Sequence, residues 1–111
     1  MKLFEFIGEN DCYLVRDEYL YGGGLSLRIN SLEAGPMAYL TVNLVQDLPH
    51  RDRRAYLDIN NNPWAEELVA QLGIARPMGK FRRSGLCIYP LYEFDLEETN
   101  KYTQEEGREK E

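Results

Sequence analysis

Two stretches of the chain alternate between apolar and polar residues with a strict period of two. Residues 25–30 read LSLRIN, and residues 38–44 read AYLTVNL, with an aliphatic residue at every second position. Because successive side chains of a β-strand point to opposite faces, this period predicts strands with one buried face and one partly exposed face. One-sided burial is typical of antiparallel sheets whose neighbouring strands are joined by short turns. A mainly antiparallel β-meander is therefore predicted.

Other apolar runs, bounded by turn-forming residues, predict further strands. They lie at residues 2–7, 12–19, 54–59, 79–85 and 86–94. The last of these contains Pro90, which cannot donate a ladder hydrogen bond. We therefore expect that strand to lie at a sheet edge or to be bulged at the proline.

Residues 58–73, DINNNPWAEELVAQLG, predict the one helix, at about residues 63–72. Asn62 suits the N-cap and Pro63 the first helical position, where its missing N–H is not needed. Trp64 begins an apolar stripe with a spacing of four residues, so it is expected to anchor the helix in the core. Gly73 is a typical residue for the end of a helix. These residues are interpreted as structural.

The resulting prediction is an α+β fold. A five- or six-stranded, mainly antiparallel meander sheet carries the helix on one face, within a single domain at residues 1–96. Residues 97–111 are charged and almost free of apolar side chains, so they predict a disordered, acidic C-terminal tail.

The charge of −6 is distributed unevenly along the 111 residues. Residues 50–83 carry 7 Lys/Arg against 4 Asp/Glu, whereas residues 1–49 carry 3 against 7 and residues 84–111 carry 3 against 8. An acidic chain argues against general affinity for nucleic acid, but the basic middle indicates an interaction surface. No apolar run approaches the roughly 20 residues of a membrane helix, and the N-terminus lacks a signal-peptide pattern, so a cytoplasmic location without membrane contact is expected.

The basic residues of the middle segment would form one rim if their strands were neighbours. Arginine side chains in such a rim could bind phosphates or carboxylates with paired hydrogen bonds. The alternative is that these charges only solvate the surface and pair with nearby acids. The predicted rim consists of Arg51, Arg53, Arg54, Arg76, Lys80, Arg82 and Arg83.

A second candidate surface is aromatic. Tyrosine is enriched at protein interfaces, although aromatic residues also pack in pairs across strands. The tyrosines that could line one exposed sheet face are Tyr13, Tyr19, Tyr21 and Tyr39.

No catalytic or metal-binding constellation is predicted. His50 is the only histidine, and it lies in a polar loop without a rigid partner. Asp58 and the three following asparagines do not have the spacing of a calcium loop. Cys12 and Cys87 lack zinc-site spacing. We therefore expect no enzyme activity, no cofactor and no metal.

The segment from Leu40 to Leu96 resembles a family of small, uncharacterised bacterial proteins found on plasmids, conjugative elements and phages. The resemblance is carried by TVNL, by NNPWAEE at the start of the helix and by YPLYEFDL in the last strand. It implies an accessory protein of a mobile element, whose products often antagonise host defence by binding. It implies no catalytic residue.

Together these features predict a non-enzymatic binding protein of a mobile genetic element or phage. We expect an anti-defence inhibitor, of the anti-CRISPR or anti-restriction type, that occupies the surface of a bacterial protein such as a defence nuclease. The alternative is a nucleotide or nucleic-acid binder, including one that sequesters a signalling nucleotide, using the basic rim at residues 51–54 and 76–83. A homodimer is left open.

Overall fold

The structure is a computed structural model that describes residues 1–19, 24–44 and 48–104. Within these ranges it contains eight strands and two short helices. In chain order they are β1 (Phe4–Phe6), β2 (Glu9–Glu18), β3 (Leu25–Ser31), β4 (Gly35–Tyr39), β5 (Thr41–Val42), β6 (Arg54–Leu57), α1 (Ala65–Leu72), β7 (Ala75–Ser84), β8 (Cys87–Phe94) and α2 (Leu96–Asn100). A mainly antiparallel sheet structure with helices is therefore confirmed.

The strands form two sheets, not the single sheet of five or six strands that was predicted. Sheet one has the order β1-β2-β3-β4, and sheet two has the order β5-β6-β8-β7. All the strand pairs within these sheets are antiparallel. Only sheet one is a meander, because β8 lies between β6 and β7 in sheet two.

The chain changes sheet at Leu40, inside the stretch that its alternation predicts as one strand. The N–H of Leu40 donates to the carbonyl of Leu27 in sheet one (2.9 Å). Its own carbonyl accepts from the N–H of Asp58 (3.1 Å), which directly follows β6 of sheet two. The side chain of Leu40 is fully buried. A period of two continues through such a crossover, so the alternation does not reveal that the pairing partner changes.

One hydrophobic core lies between the two sheets and α1. It joins Leu14 and Ile29 of sheet one to Leu57 and Phe94 of sheet two, and Val69 contributes from α1. The helix starts two residues later than predicted and ends where it was predicted to end, before a left-handed Gly73 (φ 68°). In the described part of the chain, neither helix has the length and apolar character needed to cross a membrane.

The predicted flexible tail does not begin at residue 97. Residues 97–104 continue through α2 and then along β2, where the N–H of Leu14 donates to the carbonyl of Tyr102 (2.8 Å). The N–H of Gln104 donates to the carbonyl of Leu14 (3.1 Å), and Thr99 is fully buried. This segment therefore belongs to the folded domain. The rest of the predicted tail, residues 105–111, lies outside the described residues.

Candidate binding surface

The predicted basic rim does not form one surface, because three of its arginines are paired with a single carboxylate. Arg54, Glu93 and Arg76 lie opposite one another on β6, β8 and β7, so their side chains share one face of sheet two. The Nε of Arg54 lies 2.9 Å from Oε1 of Glu93, and Nη2 of Arg76 lies 3.2 Å from Oε2. The Nε of Arg53 approaches Oε2 at 3.8 Å. We call these four residues the Glu93 cluster.

The electrostatics of the Glu93 cluster are those of a structural ion network. The hydrogen bond from Arg54 lowers the pKa of Glu93, assisted by Arg76 and opposed by desolvation. An open groove of about 620 Å³ runs beside the cluster, and Asp52 and Asp95 line it together with Arg53 and Arg76. The groove is therefore lined by three carboxylates and two guanidinium groups, which leaves little attraction for a polyanion at this site.

The remaining cations of β7 lie at the other end of the β7–β8 hairpin. The pairing of the two strands shifts between Pro77 and Phe81, where Gly79 has a positive φ of 74°. Pro90 lies opposite Phe81 at the end of this irregular stretch, and β8 is a central strand. The extra residues of this irregularity, 78–80, are on β7 opposite Leu91, so β8 itself is not bulged at Pro90. The pairing with β6 ends at Leu91, so Pro90 is paired on its β7 side only. We call residues 79–88, which lie beyond the shift, the arm.

The arm carries three cationic side chains, of which those of Lys80 and Arg83 are exposed and that of Arg82 is half-buried. Lys80, Arg82 and Arg83 make no hydrogen bond or ion pair with any described residue. Arg82 lies opposite Tyr89, whereas Arg83 lies opposite Ile88, so the two guanidinium groups leave opposite faces of the hairpin. No acidic residue occurs between positions 79 and 88. The arm therefore carries +3 on a chain with a net charge of −6.

The arm also exposes apolar side chains, which the sequence reasoning missed. Leu86 is 98% exposed, Phe81 68% and Ile88 44%. Ser84 and Cys87 are the last strand pair, so Gly85 and Leu86 form a two-residue turn, which the positive φ of Gly85 (65°) permits. A signal was present in the sequence, because Ser84-Gly85 is a typical turn dipeptide and Leu86 follows it directly. In the register of the hairpin, Phe81 and Ile88 share one face with Arg83.

Arg51, the last member of the predicted rim, belongs to neither group, although it lines one crevice together with Arg54. Its carbonyl accepts from the N–H of Leu25 (3.0 Å), and its side chain lines a small crevice near Tyr19 and Tyr56. The seven predicted residues therefore divide into the Glu93 cluster, the arm and Arg51.

The predicted aromatic surface is not assembled in the described residues. Tyr13 is buried, and Tyr19 is half-buried with its hydroxyl 2.8 Å from Oγ1 of Thr41. Tyr39 is exposed, with the guanidinium of Arg28 5.9 Å from its ring centre. Tyr21 lies outside the described residues. Of the three described tyrosines, only Tyr39 is therefore available at the surface.

The asparagines before α1 have structural roles, although not the predicted one. Asn62 is not the N-cap. Its Nδ2 donates to the carbonyl of Tyr39 (2.6 Å), and the N-cap position is held by Trp64 without a side-chain cap. Pro63 therefore precedes the helix and does not occupy its first turn. The carboxylate of Asp58 accepts two hydrogen bonds from Asn61, one from its backbone N–H to Oδ1 (3.3 Å) and one from its Nδ2 to Oδ2 (2.9 Å). These bonds close the turn after β6.

Trp64 was predicted to anchor the helix in the core, but it lies only partly in the core. It is half-buried, and its ring makes a T-shaped contact with the ring of Phe6, at 4.5 Å between centroids. His50 lies in an exposed loop with a positive φ of 58°. Among the described residues no group of three or more His, Cys, Asp or Glu side chains is placed to hold a metal ion.

A family model described as "Domain of unknown function (DUF4313)" matches residues 14–110. The chain belongs to this family. The matched residues include both helices and all the strands except β1 and the first half of β2. Membership of an uncharacterised domain family is therefore confirmed. No significant match to the chain was found among curated proteins or among solved structures.

Proposed function

We propose that this DUF4313 protein is a non-enzymatic binding protein of a mobile element or phage, and that it inhibits a host defence protein by docking the arm on it. The observation that carries this proposal is the arm itself, with Leu86 98% exposed at its turn and three cations without partners in the described structure. The defence context comes from the resemblance to proteins of plasmids and phages.

The composition of the arm favours a protein partner over a polyanion. Contact with a phosphate does not remove an exposed leucine side chain from water, so it adds no hydrophobic contribution to the binding free energy. Burial of that side chain in a protein pocket contributes about 1.5–3 kcal/mol to it. Phe81 and Ile88 add to the apolar area, and arginine and aromatic side chains dominate the energetic centres of protein interfaces. The surrounding cations select a partner with an acidic rim, because complementary charge steers association and excludes wrong partners.

The alternative of nucleic-acid binding loses much of its predicted site. Arg53, Arg54 and Arg76 are paired with Glu93, so three of the seven rim cations are compensated. Only Lys80, Arg82 and Arg83 remain together on one element, with Phe81 available for stacking. Three phosphate contacts would give a shallow dependence of affinity on salt.

The test is partner capture by the tagged full chain from a bacterial lysate treated with nuclease. Leu86→Ser is compared with Leu32→Ser, since both leucines are exposed in turns between paired strands and only Leu86 lies on the arm. We expect the unaltered protein and Leu32→Ser to retain the same protein. Leu86→Ser should retain at least tenfold less of it, as the loss of one buried leucine would produce.

Equal retention by the two variants would contradict docking through the arm. Retention on heparin at low salt that is abolished by Arg82→Glu with Arg83→Glu, without any captured protein, would support the nucleic-acid alternative instead.

A further inference from the structure

A second candidate site, which shares no residue with the arm, is a groove between the β1–β2 turn and α1. This groove has a volume of about 240 Å³. Its walls include Glu5 and Ile7 from the turn region, and Trp64, Glu67 and Gln71 from the helix. Small-molecule sites usually have about 300–1,000 Å³, so this space is suited to one long side chain and not to a nucleotide.

The floor of the groove is aromatic. Trp64 packs one edge contact against Phe6 and remains half-buried, so part of its indole faces the groove. Phe6 and Leu68 also line the groove and are buried, and the ring of Phe6 is the one in contact with the indole. The face of a tryptophan is the strongest aromatic partner for a cation.

The rim of the groove is acidic. Glu5 and Glu67 are exposed, and neither makes a hydrogen bond or ion pair with any described residue. The described residues that line the groove include no lysine or arginine. A groove lined by an indole and two unpaired carboxylates attracts a cation and repels an anion, so its ligand should carry a positive charge.

The turn beside the groove holds an apolar side chain outward. Phe6 and Glu9 pair across a two-residue turn in which Ile7 and Gly8 have φ values of 49° and 80°. A β-branched residue is unfavourable in the left-handed region, and Ile7 is nevertheless 69% exposed. Packing in the folded chain does not account for this residue, whereas contact with the aliphatic part of a bound side chain would.

We propose that this groove binds an arginine or lysine side chain from an extended segment of a partner protein. The aliphatic stem lies on Ile7 and Trp64, and the charged group lies between Glu5 and Glu67. The site is separate from the arm, so the proposal does not depend on docking through the arm.

The chain has one tryptophan, so its emission reports on this groove alone. The probe is the peptide acetyl-Gly-Arg-Gly-Arg-Gly-amide, and the control peptide carries neutral citrulline in place of each arginine. We expect the arginine peptide to shift the emission of Trp64 in a saturable, salt-sensitive manner, and the citrulline peptide to have no effect. Equal shifts with both peptides, or no shift with either, would overturn the proposal.

Protein variants separate the groove from the general acidity of the chain. Glu67→Gln should weaken binding of the arginine peptide at least fivefold, and so should Glu5→Gln. Glu33→Gln removes the same charge from an exposed turn in sheet one and should leave the affinity unchanged. All three variants replace exposed side chains, and an unchanged melting temperature verifies their folding. Equal loss in all three would mean that overall charge, and not the groove, attracts the peptide.

A second copy of the chain is a different source of the same cation. If the emission shifted with protein concentration in the absence of peptide, and Arg82→Gln with Arg83→Gln abolished that shift, the groove would hold the arm of another copy. That result would overturn a partner protein as the occupant. The Leu86→Ser variant should bind the arginine peptide normally, so failure of docking through the arm leaves this test intact.

Discussion

The two ends of the β7–β8 hairpin use the same residue types in opposite ways. At the base, residues 75–77 and 92–94, the aromatic side chains of Tyr92 and Phe94 are buried and the arginine is paired with Glu93. In the arm, Phe81 is exposed and the arginines have no partner among the described residues. Both ends belong to the same two strands, so strand formation does not cause the difference.

The difference follows from what lies beside each end. The base is flanked by β6, which supplies Arg54 to Glu93 and Ala55 opposite Tyr92. The β6 pairing extends no further than Leu91 on β8, so among the described strands none flanks the arm, and the turn after β6 reaches it through Nδ2 of Asn60, which donates to the carbonyl of Ile88 (3.4 Å). A basic and aromatic run is therefore structural where a neighbouring strand covers it, and it becomes available for binding where that strand ends.

The largest expected effect compares a phenylalanine from each end. Phe94→Ala should destabilise the protein by about 3–5 kcal/mol, because Phe94 is 2% exposed and its removal leaves a cavity in the shared core. Phe81→Ala should change the free energy of unfolding by less than about 0.5 kcal/mol, as is usual for exposed positions. Urea unfolding of both variants measures the contrast. Similar losses would mean that the arm packs on the domain and is not free.

Trp64→Ala should give an intermediate loss of about 2 kcal/mol. The indole contacts Phe6 but is only half-buried, so roughly half of the penalty for a buried aromatic residue applies. The same urea experiment tests this. A loss above about 4 kcal/mol would mean that the indole of Trp64 is fully packed in the core, as the sequence predicted. No face of the indole would then be available to a bound cation.

Much of the fold could be predicted from local pattern. The period of two located β3, apolar runs bounded by turn-forming residues located β2 and β6, and Gly73 located the end of α1. The division into two sheets was not predictable, because it depends on Leu40 bonding to both Leu27 and Asp58, which are distant in the sequence. The same is true of residues 97–104, whose polar composition suggested a tail although Thr99 is fully buried.

The candidate site was predictable only in part. The sequence identified all the cations but could not show which ones Glu93 would pair, since that depends on the register of β6, β8 and β7. It also assigned Asn62 to a helix cap, whereas the structure places its amide on the carbonyl of Tyr39 in the other sheet. Local chemistry indicates which groups need partners, and only the tertiary fold supplies those partners.

A smaller effect, dependent on pH, is expected for Glu93→Gln at the base. The folded-state pKa of Glu93 is lowered, first by the hydrogen bond from Arg54, so its ionised form stabilises the fold. That stabilisation is present above the unfolded pKa of about 4.3 and is lost as pH falls through the lower folded value. Glu93→Gln should therefore lower the melting temperature at pH 7 by a few degrees, and the difference should disappear as the pH falls below the lowered folded-state pKa.

Asp95→Asn is the control for that experiment, because Asp95 lines the same groove but makes no ion pair with the arginines among the described residues. Its carboxylate caps α2, accepting from the N–H of Glu98 (3.1 Å), and an asparagine retains that acceptor. If the two variants lost equal stability at pH 7, with the same dependence on pH, the ion network would not be what distinguishes the base.

The smallest effect on stability, and the one that most directly defines the arm, is expected for Arg82→Gln combined with Arg83→Gln. Neither guanidinium group has a partner in the described structure, so the free energy of unfolding should change by less than about 0.5 kcal/mol at any pH between 4 and 8.

Arg54→Gln at the base is the variant for comparison. It removes one charge instead of two, yet it should lower the free energy of unfolding by more, because it leaves Glu93 without its shortest ion pair. Urea unfolding of the two variants at pH 7 makes the comparison. If the double variant were the less stable one, the cations of the arm would have structural partners. The arm and the base would then not differ in the way proposed, and the arm would not be a surface available for binding.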